Sequence, residues 1–201
     1  MNLQLNIPEN FRLLESLPED RIDSKTYGIG NDFYVGIISI FNIQNNEVMP
    51  MDSNSSIIDK IHTILNENQG LIEVNNGITK DKNHFVYTIV KDYHTQLGTS
   101  YIITMHIVKN NDNICIQGQF SEQSLIGKRD STIFNIAIKN KWIEFDKDNN
   151  TYTNWSKDPY NNEFCYGTPM NLSEKKDFDD MFPEHPLSKL RLLISYIIEN
   201  N

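Results

Sequence analysis

The chain is poor in cysteine, which excludes two common routes to a stable small fold. Its 2 cysteines in 201 residues are Cys115, in an alternating apolar run, and Cys165, in a loop-like stretch. They form neither a CxxC pair nor a zinc-ligand cluster. We therefore expect two free thiols in a reducing compartment, in a chain long enough to bury a core without cross-links.

Cations and long apolar runs are also scarce. The 18 Lys and Arg residues against 27 Asp and Glu residues give a formal net charge of -9. The cations are scattered, so nucleic-acid binding is not expected. No apolar run approaches membrane-spanning length, and the first residues lack a basic leader followed by an apolar core. We expect no membrane contact and a cytoplasmic location.

Motifs of catalysis, cofactor binding and metal binding are missing as well. There is no GxSxG elbow, Walker loop or dinucleotide fingerprint, and no histidine pair has the HExxH spacing. Asp146 and Asp148 open a calcium-like loop, but Thr151 replaces its glycine and Lys157 its bidentate glutamate. A plain hairpin turn is the expected structure there. We expect no enzyme, no cofactor and no metal.

One alternative stays open, because catalytic groups are defined by geometry and not by order in the chain. A small-ligand site or an enzyme could be assembled from distant residues. The candidate members are His94, His106, Cys115, Glu122 and Arg129.

Alternating apolar patterns predict an antiparallel sheet. Residues 33–43 are β-branched and aromatic on both faces, which predicts a strand buried on two sides. Three alternating runs between residues 85 and 120 predict a meander, with a tight turn at residues 110–113. Apolar residues at helical spacing predict helices over residues 57–65, ending at Gly70, and 133–138, capped by Asp130 or Ser131. The fold class is therefore α+β.

The pattern changes after residue 140. Two short strands are predicted around residues 146–150, then a final helix that begins at Ser188 with apolar residues on one face. We predict a core at residues 1–140 and a C-terminal hairpin-plus-helix extension at residues 141–201, packed on that core. The apolar face of the last helix would also suit a homodimer.

Two clusters are candidate binding sites. Lys128 and Arg129 precede a predicted helix start, where backbone N–H groups favour anions. Alternatively, Arg129 pairs with an internal acid such as Glu122, and Asp130 caps the helix. The second cluster is a turn stiffened by two prolines within residues 182–188, which together with exposed aromatics could dock a partner. The predicted partner-binding residues are Trp155, Tyr160, Phe182, His185 and Leu187; their alternative role is to pack the extension on the core.

Residues 5–11 (LNIPENF) and 101–122 resemble the opening strand with its proline-containing turn and the central hairpin of the PsbP-like superfamily, which includes DcrB-like proteins and type VI effector chaperones. The resemblance covers about residues 1–140, and the tail is similar to tails of uncharacterised Gram-positive bacterial proteins. It implies protein binding without catalysis and carries over no catalytic residue. We expect a cytoplasmic adaptor or chaperone, for instance of a secreted effector, that uses its sheet face or residues 159–187.

Overall fold

Most of the chain is built into one large antiparallel sheet and three helices. The computed structural model describes residues 5–18, 20–51, 53–109 and 112–201. The strands are β1 (Arg12–Leu13), β2 (Lys25–Gly30), β3 (Tyr34–Ile43), β4 (Gln69–Ile78), β5 (His84–His94), β6 (Gly98–Lys109), β7 (Asp112–Glu122), β8 (Glu144–Asp146) and β9 (Thr151–Thr153). The α-helices are α1 (Asn54–Ile64), α2 (Lys128–Lys139) and α3 (Pro186–Asn200), and short 3-10 helices lie at Asn45–Glu47, Leu172–Glu174 and Lys176–Met181.

Seven of the strands form the main sheet, in the order β1-β2-β3-β7-β6-β5-β4, and all neighbours are antiparallel. Strands β4 to β7 form a meander, while β8 and β9 pair separately as a hairpin. The predicted α+β class, with an antiparallel meander flanked by helices and a C-terminal hairpin and helix, is confirmed. The turn predicted at residues 110–113 falls partly on residues 110 and 111, outside the described residues.

Strand β4 corrects the sequence prediction. Gly70 was predicted to end the first helix, but α1 ends at Ile64 and Gly70 lies within β4. A glycine is needed there because a Cβ at this position would overlap the carbonyl oxygen of Thr168, which is brought against the strand by the C-terminal tail. The glycine thus serves a close backbone approach rather than a helix stop.

The two faces of the sheet are covered unequally. One face carries the main core, in which α3 packs on the central strands. The helix contributes Leu187, Leu190, Leu193, Ile194 and Ile197, each at most 3% exposed. The apolar face of the final helix, on which the predicted homodimer was based, is therefore occupied by the helix's own sheet. The helix of the predicted extension is therefore part of the main core.

The opposite face carries a smaller core, where Ile57 of α1 and Leu65, which follows the helix, pack against Leu71, Val74 and Val86 of β4 and β5. The helix does not reach the other half of this face. The prediction that residues 33–43 are buried on both sides was therefore wrong: Val35 is 36% and Ile37 is 46% exposed. We call this region, with Ser39, Ile102, Gln117 and Gln119, the open sheet face.

Element starts also differ from the predictions. Residues 7–11 contain a turn and no strand; the first strand is β1. Helix α2 begins at Lys128 with Gly127 as its N-cap residue in a left-handed conformation, φ +67°, and not at the predicted caps. Asp130 instead accepts hydrogen bonds from the Ser173 hydroxyl and the Asn171 amide. Helix α3 begins at Pro186, where His185 accepts a hydrogen bond from the Leu187 N–H.

Buried charges fix the tail to the sheet. Lys91 points from β5 into the main core, where its Nζ lies 2.9 Å from Glu174 Oε2, and these side chains are 4% and 1% exposed. Glu174 also accepts from the Tyr101 hydroxyl at 3.1 Å and from the Asn171 N–H at 2.7 Å. The buried Glu174 carboxylate therefore has a cation and two further hydrogen-bond donors, which offset the cost of removing its charge from water.

Two arginines extend this arrangement. Arg191 of α3 donates to Glu73 of β4 at 2.9 Å, to Asp179 at 3.1 Å and to the Glu174 carbonyl at 2.9 Å. Arg129 of α2 reaches the same Asp179 at 3.0 Å. We call the set the anchor cluster; it comprises Lys91, Arg129, Asp130, Glu174, Asp179 and Arg191.

We predict that the Lys91–Glu174 pair is strongly coupled. Lys91→Met should lower the free energy of unfolding by about 3 to 5 kcal/mol, because it leaves the Glu174 carboxylate buried without a cation. The double variant with Glu174→Gln should recover a large part of this loss, as measured by urea unfolding at pH 7. Asp23→Asn, which breaks the exposed Arg21–Asp23 pair, is the control and should cost less than about 1 kcal/mol. Additive single losses in the double variant would contradict the coupling.

Candidate functional site

Three turns of the chain converge at one end of the sheet and enclose a pocket of about 270 Å³. They are the β2–β3 turn, the β7–α2 turn and residues 181–186, which lead into α3. Hydrogen bonds join them: the Gln123 N–H donates to the Phe33 carbonyl at 2.9 Å, and the Asn31 amide donates to Glu184 at 2.7 Å. We call this concavity the tail pocket. Its walls include Phe33, Leu125, Lys128, Met181, Phe182 and Pro183.

Arg129 lies at the floor of the tail pocket and is 1% exposed. Its Nε donates to the Ser173 carbonyl at 2.8 Å, its Nη1 to the Ser188 hydroxyl at 2.9 Å, and its Nη2 to the Lys175 carbonyl and to Asp179, both at 3.0 Å. The alternative to anion binding was that Arg129 pairs with an internal acid such as Glu122. Arg129 does pair with an internal acid, but the acid is Asp179. Of the two predicted anion-binding residues, Lys128 is the exposed one.

Glu122 and His185 form the rest of the floor. Glu122 accepts the Thr99 N–H at 3.0 Å and the Gly127 N–H at 3.1 Å, and His185 Nε2 lies 3.7 Å from it. Burial alone would raise the pKa of Glu122, but the nearby His185 ring and the hydrogen bonds from these two amides outweigh it and lower the pKa. The floor is consequently a set of polar groups that already have partners.

The walls are apolar and accessible. Phe33 is 42%, Leu125 is 54% and Met181 is 53% exposed, and all three line the pocket. Leu125 has φ +55°, a left-handed conformation that is unfavourable for a residue with a branched side chain. The conformation is held by the hydrogen bond from the Lys128 N–H to the Leu125 carbonyl at 3.0 Å. The turn therefore carries a large apolar side chain where a smaller or more flexible residue would fit more easily.

The structure separates the predicted partner-binding residues. Phe182 and His185 both line the tail pocket, beside Lys128 and Arg129 of the other predicted cluster. Leu187 is 0% exposed in the main core, so it has no surface to offer, which corrects its prediction as a contact residue. Tyr160 is 40% exposed, but its hydroxyl accepts a hydrogen bond from the Val74 N–H at 2.6 Å. The tyrosine thereby satisfies a backbone donor of the edge strand β4.

Trp155 lies elsewhere. Its ring meets Phe134 of α2 edge-on at 4.9 Å, and it lines a cleft of about 640 Å³ with Trp142 and Phe178. The predicted aromatic contact face thus belongs to the hairpin region and is distinct from the tail pocket. The sequence predicted some residues of the tail pocket but not the pocket itself. Its apolar residues Phe33, Leu125 and Met181 belong to no recognisable sequence motif.

The candidate members of a distant-residue active site do not come together as one group. His106 and Cys115 are cross-strand neighbours on β6 and β7, and they line a cleft of about 450 Å³ near α1. Glu122 and Arg129 lie at the tail pocket, and His94 is half-exposed at the end of β5. Within the described residues, no group of three or more His, Cys, Asp or Glu side chains is arranged to hold a metal ion.

The His106–Cys115 pair has the wrong pKa shifts for a nucleophile and its base. Burial raises the pKa of the Cys115 thiol to about 12, and burial lowers the pKa of His106 to about 4. His106 Nδ1 accepts the Met49 N–H at 2.9 Å, which ties the ring to the backbone. At neutral pH the pair is a neutral thiol and a neutral imidazole, so its chemistry is that of packing and hydrogen bonding.

The two thiols should differ sharply in reactivity. Cys165 is exposed and Cys115 is buried, so native protein should release about one equivalent of chromophore rapidly with a disulfide reagent such as DTNB. The second equivalent should appear only on unfolding in urea. In Cys165→Ser the fast phase should vanish; a fast phase that persists in this variant would show that Cys115 is reactive.

Stability should fall in mild acid because of His106. The native state keeps this imidazole neutral down to a pH of about 4, while the unfolded chain protonates it near its ordinary pKa of 6.5. The unfolded state therefore binds more protons in this range, and the stability present above pH 6.5 is lost as the pH falls towards 4. Urea unfolding should show that the wild type loses about 2 kcal/mol more between pH 7 and pH 5 than His106→Asn, which retains an acceptor for Met49. Equal losses would contradict the prediction.

Among the described residues no helix is long and apolar enough to cross a membrane. No protein-family model and no curated protein matches the sequence. Among solved structures, the chain is similar to the Ran-binding protein Mog1p of Saccharomyces cerevisiae, with 12% identity and a TM-score of 0.41 over 65% of this chain and 76% of that protein. It is also similar to PA94 of Pseudomonas aeruginosa, a protein of unknown function described as a putative regulator, with 8% identity and a TM-score of 0.38 over 65% of this chain and 94% of that one. Likenesses this distant carry no information about what this chain binds.

Proposed function

We propose that this protein is a non-catalytic protein-binding module whose contact surface is the tail pocket. The observation that carries the proposal is the concentration of three large apolar side chains, Phe33, Leu125 and Met181, each about half exposed, around one concavity. Apolar groups gathered in this way around a pocket are typical of sites that receive an anchor side chain from a partner.

The character of the pocket favours a protein partner over a small ligand. Its volume of about 270 Å³ is at the small end of the range for small-molecule sites. The polar groups of its floor are engaged with internal partners, as the Arg129 and Glu122 hydrogen bonds show. What remains for a ligand is mainly apolar wall and the ammonium of Lys128, which suits the insertion of one apolar side chain.

The frame of the pocket is rigid enough to act as a preformed receptor. Pro183 and Pro186 restrict the backbone on one side, and Arg129 ties that side to α2 through Asp179. Little conformational entropy is then lost on binding, which is the main gain from preorganisation.

The finer role that we propose is that of a cytoplasmic adaptor or chaperone for another protein, such as a secreted effector. The resemblance of residues 1–140 to the PsbP-like superfamily supports this role, as does the poor suitability of the His106–Cys115 pair for catalysis.

Point variants in the tail pocket should abolish partner capture. Leu125→Asn removes an apolar wall while tolerating the left-handed backbone, and Met181→Glu places a charge in the pocket. We expect each to reduce the partner recovered from a lysate of the source organism, and the affinity of the purified partner, by about 10-fold or more.

Ile37→Asn is the matched control, because Ile37 has similar exposure but lies on the open sheet face. It should retain the partner. Loss of the partner in Ile37→Asn alone would move the contact surface to the open sheet face, and the absence of any partner that depends on the pocket would refute the proposal.

A further inference from the structure

A cleft of about 450 Å³ lies between helix α1 and the sheet face that this helix covers only in part. One row of its floor consists of cross-strand neighbours: Phe41 of β3 lies opposite Cys115 of β7, and Cys115 lies opposite His106 of β6. The wall above this floor is formed by apolar side chains of α1, namely Ile57, Ile61 and Ile64. We call this concavity the helix cleft.

His106 presents an unpaired hydrogen-bond donor to the helix cleft. Its Nδ1 accepts the Met49 N–H at 2.9 Å, so the neutral imidazole carries its proton on Nε2. This Nε2 has no acceptor among the described residues, although His106 is only 6% exposed. The fully enclosed side-chain atoms without a partner are Asn54 Oδ1 and Asp92 Oδ1, so Nε2 remains in contact with the space of the cleft that His106 lines. An acceptor on a ligand would satisfy this buried donor.

A second row of polar side chains extends the floor. Thr88 of β5 lies opposite Thr104 of β6, and Thr104 lies opposite Gln117 of β7. All three line the cleft. Across the two rows, the contact of His106 with Met49 is the only side-chain hydrogen bond to another described residue. The helix cleft therefore differs from the tail pocket, because the polar groups of its floor are still available to a ligand.

The edge of the helix cleft carries two cations, Arg21 and Lys60, and Glu47 is the single acid among its described lining residues. Arg21 shares its charge with the exposed Asp23 at 3.1 Å, and Glu47 accepts the Gln44 N–H at 2.7 Å. Lys60 is exposed and has no ion-pair partner in the described part of the chain. The cleft thus has an available ammonium, on a chain whose formal net charge is -9.

We propose that the helix cleft binds a free amphiphilic anion, namely an alkyl chain that ends in a carboxylate. The chain would lie between α1 and the sheet, while the carboxylate would accept the His106 Nε2–H and pair with Lys60. The charge of Lys60 is close enough to contribute to the lowered pKa of His106, to which burial contributes most, so both groups can act on one head group.

The size and lining of the cleft agree with such a ligand. Its volume of about 450 Å³ lies within the range of small-molecule sites, which combine apolar walls with a few convergent polar groups. It shares no described lining residue with the tail pocket, so the inference is independent of the proposed protein-binding surface.

The probe is sodium decanoate, titrated into the full-length protein by isothermal calorimetry at about 0.15 M salt and below its micelle concentration. The reference is decylammonium chloride, which has the same chain and the opposite charge. The net charge of -9 favours the ammonium, so a preference for decanoate reports the local charge of the cleft. We expect decanoate to bind saturably and about 10-fold or more tightly than decylammonium. Hexanoate should bind at least about 10-fold more weakly than decanoate, because it buries fewer methylene groups.

Point variants locate the site. Lys60→Gln and Lys139→Gln remove the same charge from an exposed helical position, but only Lys60 lines the helix cleft. Lys60→Gln should weaken decanoate binding about 10-fold, and Lys139→Gln should stay within about twofold of the wild type. His106→Asn keeps an acceptor for the Met49 N–H but has no group in place of Nε2, so it should also weaken binding about 10-fold. The histidine NMR signal that is missing in this variant should shift when decanoate binds to the wild type.

Absence of saturable binding, equal or tighter binding of decylammonium, or equal weakening by Lys60→Gln and Lys139→Gln would overturn the proposal, as would binding that leaves the His106 signal unshifted. Vesicles of phosphatidylcholine and phosphatidylglycerol separate a free ligand from a bilayer lipid. Cosedimentation that Lys60→Gln abolishes, without binding of decanoate, would overturn the assignment to a free ligand. Leu125→Asn and Met181→Glu leave the lining of the helix cleft intact, so failure here and failure of the tail pocket as a contact surface are separate results.

Discussion

The architecture depends on a set of buried charges that can be satisfied in one arrangement only. Lys91 enters the main core from β5, and its ammonium meets the Glu174 carboxylate from a short 3-10 helix 83 residues later in the chain. A buried charge without its partner costs several kcal/mol, so this contact fixes where the tail lies on the sheet. Arg191 ties α3 to the same place through Glu73 and Asp179. These contacts act together with the apolar packing of α3 in the main core.

The anchor cluster also explains how a tail without long regular structure forms a stable pocket wall. Residues 176–185 are a 3-10 helix and a proline turn, which have few backbone hydrogen bonds of their own. Arg129 ties this region and its neighbours to α2 with four hydrogen bonds, two to backbone carbonyls and two to the side chains of Asp179 and Ser188. The Arg129 guanidinium donates all of these hydrogen bonds to internal acceptors. The accessible surface of the tail pocket therefore stays mainly apolar although a charged group lies at its floor. Arg129 and Asp179 therefore contribute both to the stability of the fold and to the shape of the proposed binding surface.

The sequence was informative where a pattern is local. Alternation predicted β5, β6 and β7, and apolar residues at helical spacing predicted α1 and α3. It failed for β4, which contains Gly70, because a glycine suggests the end of a helix unless the neighbouring backbone that needs the space is known. The cap of α2 was misplaced for a similar reason: Asp130 is a good cap by type, but its carboxylate is used by Ser173 and Asn171 in the tail. Long-range partners override local preference at such positions.

The candidate sites show the same limit, and the structure adds a relation between them. Lys128 and Arg129 were recognised separately from Phe182 and His185, and only the fold places all four around one pocket. Glu122 holds the turn that carries Leu125, because one carboxylate oxygen accepts the Gly127 N–H of that turn and the other accepts the Thr99 N–H. The tail pocket therefore depends on a turn whose position is set by a buried carboxylate from β7, a contact that no local pattern in the sequence indicates.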